Sequence, residues 1–237
     1  MKLRLLSTVI IAAAVVLGVA VPAQAAARPG GVLLVTDAWS THALDVRTGA
    51  RLSEVGNGSD ATISARGRWA YAHDVDECIP DIEGCWGAPD LVTSGPAGGA
   101  ERVLVHNPER SGGATDPAWS PDGRRLVYSW HTPGERGLNM INADGTGNEQ
   151  IVSFSGPGRF SPDGRGVAFV KDGNVQVIDL RTRAVRVLTT DGDALYDAPD
   201  WSPDGRRLVY AAADSFRIVP ATGGPSTGPT CPASRTR

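Results

Sequence analysis

The densest concentration of groups able to do chemistry is His73-Asp74-Val75-Asp76-Glu77. An imidazole beside several carboxylates suits a divalent cation or an acid–base pair. A metal site wants a second His nearby, but His42, His106 and His131 are scattered along the chain. The plain alternative is a polar loop on one rim of the molecule. A second acidic cluster is Asp191-Gly192-Asp193 with Asp197 and Asp200, whose closely spaced oxygens are the kind calcium takes. It lacks the later Glu of the twelve-residue calcium loop, and a solvated loop between blades is the reading that fits it better. The sequence therefore predicts no metal and no cofactor, with Asp191, Asp193 and Asp197 the weak metal candidates.

Nucleophile chemistry is not signalled. No Gly-x-Ser-x-Gly elbow is read, no Ser-x-x-Lys occurs, and no phosphate-binding glycine loop follows a strand. Among the aromatics, Trp39, Trp86 and Trp130 stand outside the repeated phrase described next. Aromatic rings on rigid loops make contact anchors. Trp86 and Trp130, with His73 and Asp76, are accordingly the candidate binding residues; packing of each onto its own sheet is the rival reading.

The elements that would position these groups are set by a repeat. Ser120-Pro121-Asp122-Gly123-Arg124, Ser161-Pro162-Asp163-Gly164-Arg165 and Ser202-Pro203-Asp204-Gly205-Arg206 are separated by 41 residues and again by 41. A fixed period of about 40–45 residues marks the blades of a propeller. The phrase is turn chemistry: Pro sets φ, Asp bonds nearby N–H groups, and Gly takes angles other residues avoid. The carboxylates of Asp122, Asp163 and Asp204 are thus structural. Trp119, Phe160 and Trp201 precede the phrase, and Leu126-Val127-Tyr128, Val167-Ala168-Phe169 and Leu208-Val209-Tyr210 follow it as strands. Further turns at 142–147, 181–183 and 221–224 complete four short strands per unit. Ser64-Ala65-Arg66-Gly67-Arg68 is a worn copy, and 31–55 is an opening fragment without the phrase. The predicted class is all-β, a propeller of about five four-stranded blades, or an incomplete six. Units are placed at about 58–112, 113–155, 156–194 and 195–224, within a propeller spanning 26–224 and followed by a flexible tail at 225–237.

The N-terminus reads as an export leader, 1–25. Lys2 and Arg4 precede an apolar run to Val21, then Pro22 and the small-residue site Ala23-Gln24-Ala25. Cleavage and an uncleaved anchor are both open; after cleavage no stable membrane span is expected. Cleavage leaves 212 residues, about 5.2 blade lengths, which is room for one propeller. Losing Lys2 and Arg4 takes the formal charge from −3 to −5, which argues against nucleic-acid partners. In an exported chain Cys78 and Cys85 most simply form a local disulfide worth about 2–3 kcal/mol, the alternative being two free thiols. Cys231 is left as a free thiol or an intermolecular partner.

Trp-Ser-Pro-Asp-Gly-Arg-Arg-Leu-Val-Tyr, at 119–128 and 201–210, resembles the TolB-type, WD-like propeller repeat. So does Asn142-Ala143-Asp144-Gly145-Thr146, similar to the family's turn between third and fourth strands. The resemblance is strong over 113–224 and weaker over 58–112. It implies the fold and leaves function open, because such propellers serve as envelope scaffolds, peptidase accessories and free secreted proteins. The family's best-known member has six blades behind a separate N-terminal domain, and neither is visible here. The last unit lacks its outermost strand, and 31–36 or 43–46 is expected to supply it; a fragment is the alternative. The function that fits best is a secreted, non-catalytic module binding a protein or peptide partner, with a cell-envelope component among the candidates. Alternatives are a propeller hydrolase or lyase with polar groups meeting at the axis, and an accessory propeller of a peptidase.

Overall fold

The computed structural model describes residues 32–36, 40–56, 58–73, 89–95, 100–107, 112–213 and 215–228. The leader, Trp39, Asp76, Cys78, Cys85, Trp86 and Cys231 lie outside the described residues. Within them the chain is all-β, arranged as five consecutive antiparallel sheets. The first holds β1 (Val32–Thr36), β2 (Ser40–Asp45) and β3 (Arg51–Gly56). The second holds β4 (Gly58–Ile63), β5 (Trp69–His73), β6 (Asp90–Ser94) and β7 (Arg102–Val105). The third holds β8 (Gly113–Trp119), β9 (Arg125–His131), β10 (Arg136–Asn142) and β11 (Glu149–Ser153). The fourth holds β12 (Gly158–Phe160), β13 (Gly166–Lys171), β14 (Asn174–Asp179) and β15 (Val185–Val187). The fifth holds β16 (Asp200–Trp201), β17 (Arg207–Ala211) and β18 (Phe216–Pro220). No helix among the described residues is long and apolar enough to cross a membrane.

The second, third and fourth sheets each bury an apolar face on both sides, as blades of a propeller do. Strand residues alternate sides, and here alternate residues serve alternate blade junctions. In β13, Val167 and Phe169 join a cluster with Val127, Leu138 and Met140 of the third sheet. Ala168 and Val170 instead join Leu208, Tyr210 and Val219 of the fifth. In the same way Ala70 of β5 packs with Leu126 and Tyr128, while Trp69 and Tyr71 pack with Ala43 of the first sheet. Four clusters thus seal four junctions. First strands of successive blades also pack on one another, β4 on β8 and β8 on β12. That is the radial arrangement of a propeller.

The first sheet can be aligned by its turn. Asp45 Oδ1 accepts from the N–H groups of Arg47 and Thr48, both at 2.9 Å. Asp179 Oδ1 accepts likewise from Arg181 and Thr182, at 3.0 and 2.7 Å. So β2 and β3 correspond to β14 and β15, and β1 holds the second position of its blade. Among the described residues that blade has no first strand.

The expected closure is not the one formed. β1 pairs with β2, and β2 with β3, inside their own sheet. The outer edge of the fifth sheet is instead met by Thr227, which exchanges two backbone hydrogen bonds with Ile218, at 2.6 and 2.8 Å. Residue 227, expected in a loose tail, is therefore tied to the sheet. The opposite face of the fifth blade, which in other blades seals the next junction, is exposed at Val209, Phe216 and Ile218 (38%, 68% and 40%).

Candidate functional site

The turns between first and second strands gather on one face around the axis. In each, the Ser N–H donates to the backbone carbonyl at the end of the turn: Ser64 to Arg68, Ser120 to Arg125, Ser161 to Gly166 and Ser202 to Arg207, all 2.8 Å. The serine Oγ accepts from the N–H of that same residue at 2.9–3.0 Å. In the three full copies Ser Oγ also donates to the Asp Oδ1 at 2.6 Å, and the next Arg N–H donates to it at 3.0 Å. The serine hydroxyl foremost, and then the arginine N–H, hold Asp122, Asp163 and Asp204 below the usual carboxylate range. Gly123, Gly164 and Gly205 sit at φ of +64°, +69° and +69°, where a side chain is strained.

Neighbouring turns interlock. A Cβ on Gly164 would lie 3.6 Å from Pro121 Cδ, and one on Gly205 3.7 Å from Pro162 Cδ, so each turn rests against the one before. Arg68 crosses the second junction: its guanidinium lies 4.6 Å from the Trp119 ring centroid and donates to Gly123 O at 2.5 Å. Arg125 does the same at the third, 5.5 Å from the Phe160 centroid and 3.1 Å from Gly164 O.

Among the described residues, two openings lie on this face. One is the channel mouth, a cavity of about 280 Å³ lined by first-strand residues, Ile63, Trp119, Phe160 and Trp201 among them. The other, about 560 Å³, is a cleft between the fourth and fifth blades lined by Pro162, Gly166, Val177, Asp179, Trp201 and Gly205, with further turn residues. Pro162 and Trp201 border both. The Trp201 indole is fixed by a 3.2 Å bond from Nε1 to Arg159 O.

The residues singled out from sequence fall elsewhere. His73 ends β5, its ring tilted against Tyr71 with centroids 6.3 Å apart. Its strand partner is Asp90, whose Oδ2 lies 2.9 Å from His106 Nδ1 and whose Oδ1 accepts from Asn107 N–H at 2.8 Å. Asp90 and His106 are joined only by folding, being 16 residues apart. Trp130, expected on an exposed loop, lies within β9, half-buried against the cluster of Leu91, Ala114 and Tyr128. Asp191 and Asp193 both accept from Arg217 Nη1, at 3.0 and 2.9 Å, while Asp197 Oδ1 accepts from Ala198 N–H. Asp144 Oδ1, in the turn at 142–147, accepts from the N–H and the hydroxyl of Thr146. Among the described residues no three His, Cys, Asp or Glu side chains gather as a metal ion would need.

Sequence reasoning passed over some features. The spelling Gly-x-Ser-x-Gly occurs at 224–228, but Thr227 within it bridges to β18 and no helix follows among the described residues. It therefore lacks the strand–turn–helix setting of a nucleophile elbow. Asp60 and Asp116 occupy left-handed backbone, both at φ +52°, where β4 and β8 bulge. Their common signal is an Asp three residues before the position preceding the turn serine.

No protein-family model matches the chain. An uncharacterised protein of Agrobacterium fabrum is 30% identical over 129 residues, 47% of this chain and 43% of that one. The match thus spans under half the length of that relative. A structure assigned as TolB from Agrobacterium tumefaciens superposes with a TM-score of 0.64 at 16% identity, covering 83% of this chain and 76% of the other. TolB from Acinetobacter baumannii gives 0.59 at 16% identity, over 80% and 47%. Oligogalacturonate lyase from Vibrio parahaemolyticus gives 0.53 at 14%, over 76% and 55%. At such identities the likeness is one of fold, and what this chain has is the TolB-like β-propeller fold in five blades.

Proposed function

We propose that the chain is a secreted, non-catalytic binding module whose turn face recognises a protein or peptide, with a cell-envelope component among the candidate partners. The observation that carries this is the cleft between the fourth and fifth blades, continuous with the channel mouth through Trp201 and Pro162. A rigid face with a half-buried indole in a recess suits recognition. Proton transfer near neutral pH wants a carboxyl raised toward 7. The carboxylates of Asp163 and Asp204 on this face are shifted the other way, each engaged by its own turn. The fold also carries enzymes, the lyase above among them, so the reading rests on this site and not on architecture. The apolar leader supports export.

The test is a pull-down with the leaderless chain against secreted and envelope proteins, run beside Trp201→Leu. A partner retained by the native chain and lost by the variant is expected. Recovery of the native chain alone, or equal retention by both, refutes the reading.

A further inference from the structure

We propose that the cleft between the fourth and fifth blades receives the guanidinium of an arginine side chain presented by the partner. This rests on the binding reading above and names the chemistry of its site.

The warrant is the propeller's own repetition. At two successive junctions an arginine at the entry to the second strand reaches across, stacks on the aromatic residue of the next blade, and donates to the carbonyl of that blade's turn glycine. Arg68 does so with Trp119 and Gly123, and Arg125 with Phe160 and Gly164. At the next junction the aromatic residue, Trp201, and the turn glycine, Gly205, are both in place. The residue that should supply the cation is Gly166. Its position is equivalent, because it makes the same pair of bonds to Ser161 that Arg125 makes to Ser120. With no side chain at 166, the volume that arginine fills elsewhere is open as the cleft.

The chemistry of the walls agrees. Asp163, Asp179 and Asp204 line the cleft against two cations, Arg165 and Arg186. The lining therefore carries a formal excess of one negative charge, and Arg186 is held to the cleft wall by donating to Ala221 O at 2.7 Å. The indole is the strongest of the ring partners for a cation. A planar guanidinium also fits where an ammonium would not, because it stacks and donates in its own plane at once.

The test titrates the leaderless chain with Nα-acetyl-arginine amide, its citrulline counterpart and Nα-acetyl-aspartate amide. Binding is followed by the Trp201 indole N–H and the amides of Gly166 and Gly205 in NMR spectra. The indole signal is assigned by its loss in Trp201→Leu. Arginine is expected to shift these signals saturably, with a dissociation constant on the order of 1–10 mM. Citrulline, neutral and of the same shape, should bind at least about tenfold more weakly. Trp201→Leu should abolish saturation at Gly166 and Gly205. Gly166→Arg should fill the cleft from within and also abolish binding. A Cβ there meets Ile178 O and Val177 Cγ1 at 3.2 Å, so Trp201→Leu is the variant relied on if that substitution disturbs the fold.

Equal binding of citrulline, a preference for the aspartate probe, or no saturable shift at these residues overturns the assignment. A partner captured by pull-down with no arginine response sinks only this assignment. An arginine response with no partner captured sinks the broader reading.

Discussion

Replacing Arg125 by Met isolates what a repeated residue contributes to a blade junction. The methionine keeps the unbranched apolar stem as far as the Nε position, so most of the stem's burial is conserved. What is lost is the guanidinium over Phe160, at 5.5 Å, and its 3.1 Å bond to Gly164 O. A hydrogen bond from a charged donor is worth about 1.5–3 kcal/mol when buried, and about 1 after discounting for partial exposure here. The stack adds about 0.5–1 kcal/mol. The expected loss is about 1.5–2 kcal/mol, a fall in Tm of about 3–8 °C for a chain of this size. Arg124→Met, one residue away on the exposed turn, serves as the control and should change stability by less than about 0.5 kcal/mol. Chemical denaturation and calorimetry on both variants decide it. A double-mutant cycle with Phe160→Leu should return a coupling of about 0.5–1 kcal/mol. Equal effects of the two arginine substitutions, or zero coupling, would refute the view that these arginines clamp neighbouring blades. The same result would remove the warrant for a guanidinium at the fourth junction.

Other substitutions test other parts of the structure. Phe169→Ala, fully buried between the third and fourth blades, should cost about 3–5 kcal/mol. Val209→Ala on the exposed face of the fifth blade should cost under about 1 kcal/mol in denaturant melts; a larger loss would mean that face is covered in solution. The turn carboxylates have folded pKa values below their unfolded ones. Their contribution is therefore complete above the unfolded value near 4 and disappears as pH falls through the lowered folded values. Asp163→Asn should flatten that acid limb of a stability–pH profile and leave it parallel to the native curve above about pH 5. Because Arg217 occupies Asp191 and Asp193, millimolar calcium should leave Tm unchanged; a rise of several degrees would show that the cation displaces the arginine.

Much of the fold is legible in the chain because its instructions are local. The bonds of each Ser-Pro-Asp-Gly turn lie within six consecutive residues, so spelling alone specifies them. Two-sided apolar strands such as 167–170 follow from alternation, and the interval of 41 residues sets their spacing. The first blade was legible too: Asp45-Val46-Arg47-Thr48 and Asp179-Leu180-Arg181-Thr182 form the same turn, although no full phrase flagged it. The site was not legible, because its parts come from different blades. Gly166 looks like a neutral variation until the arginines at 68 and 125 are seen crossing their junctions. Asp191 and Asp193 are no more than weak calcium candidates in the sequence, and only the fold shows Arg217, more than twenty residues on, between them. Asp90 meets His106 only through the pairing of a blade, and the fifth sheet is edged by Thr227 only because the chain folds back. Hydrogen bonds inside a turn are settled by neighbours in sequence; which side chain fills, or leaves empty, the space between two sheets is settled by how those sheets stack.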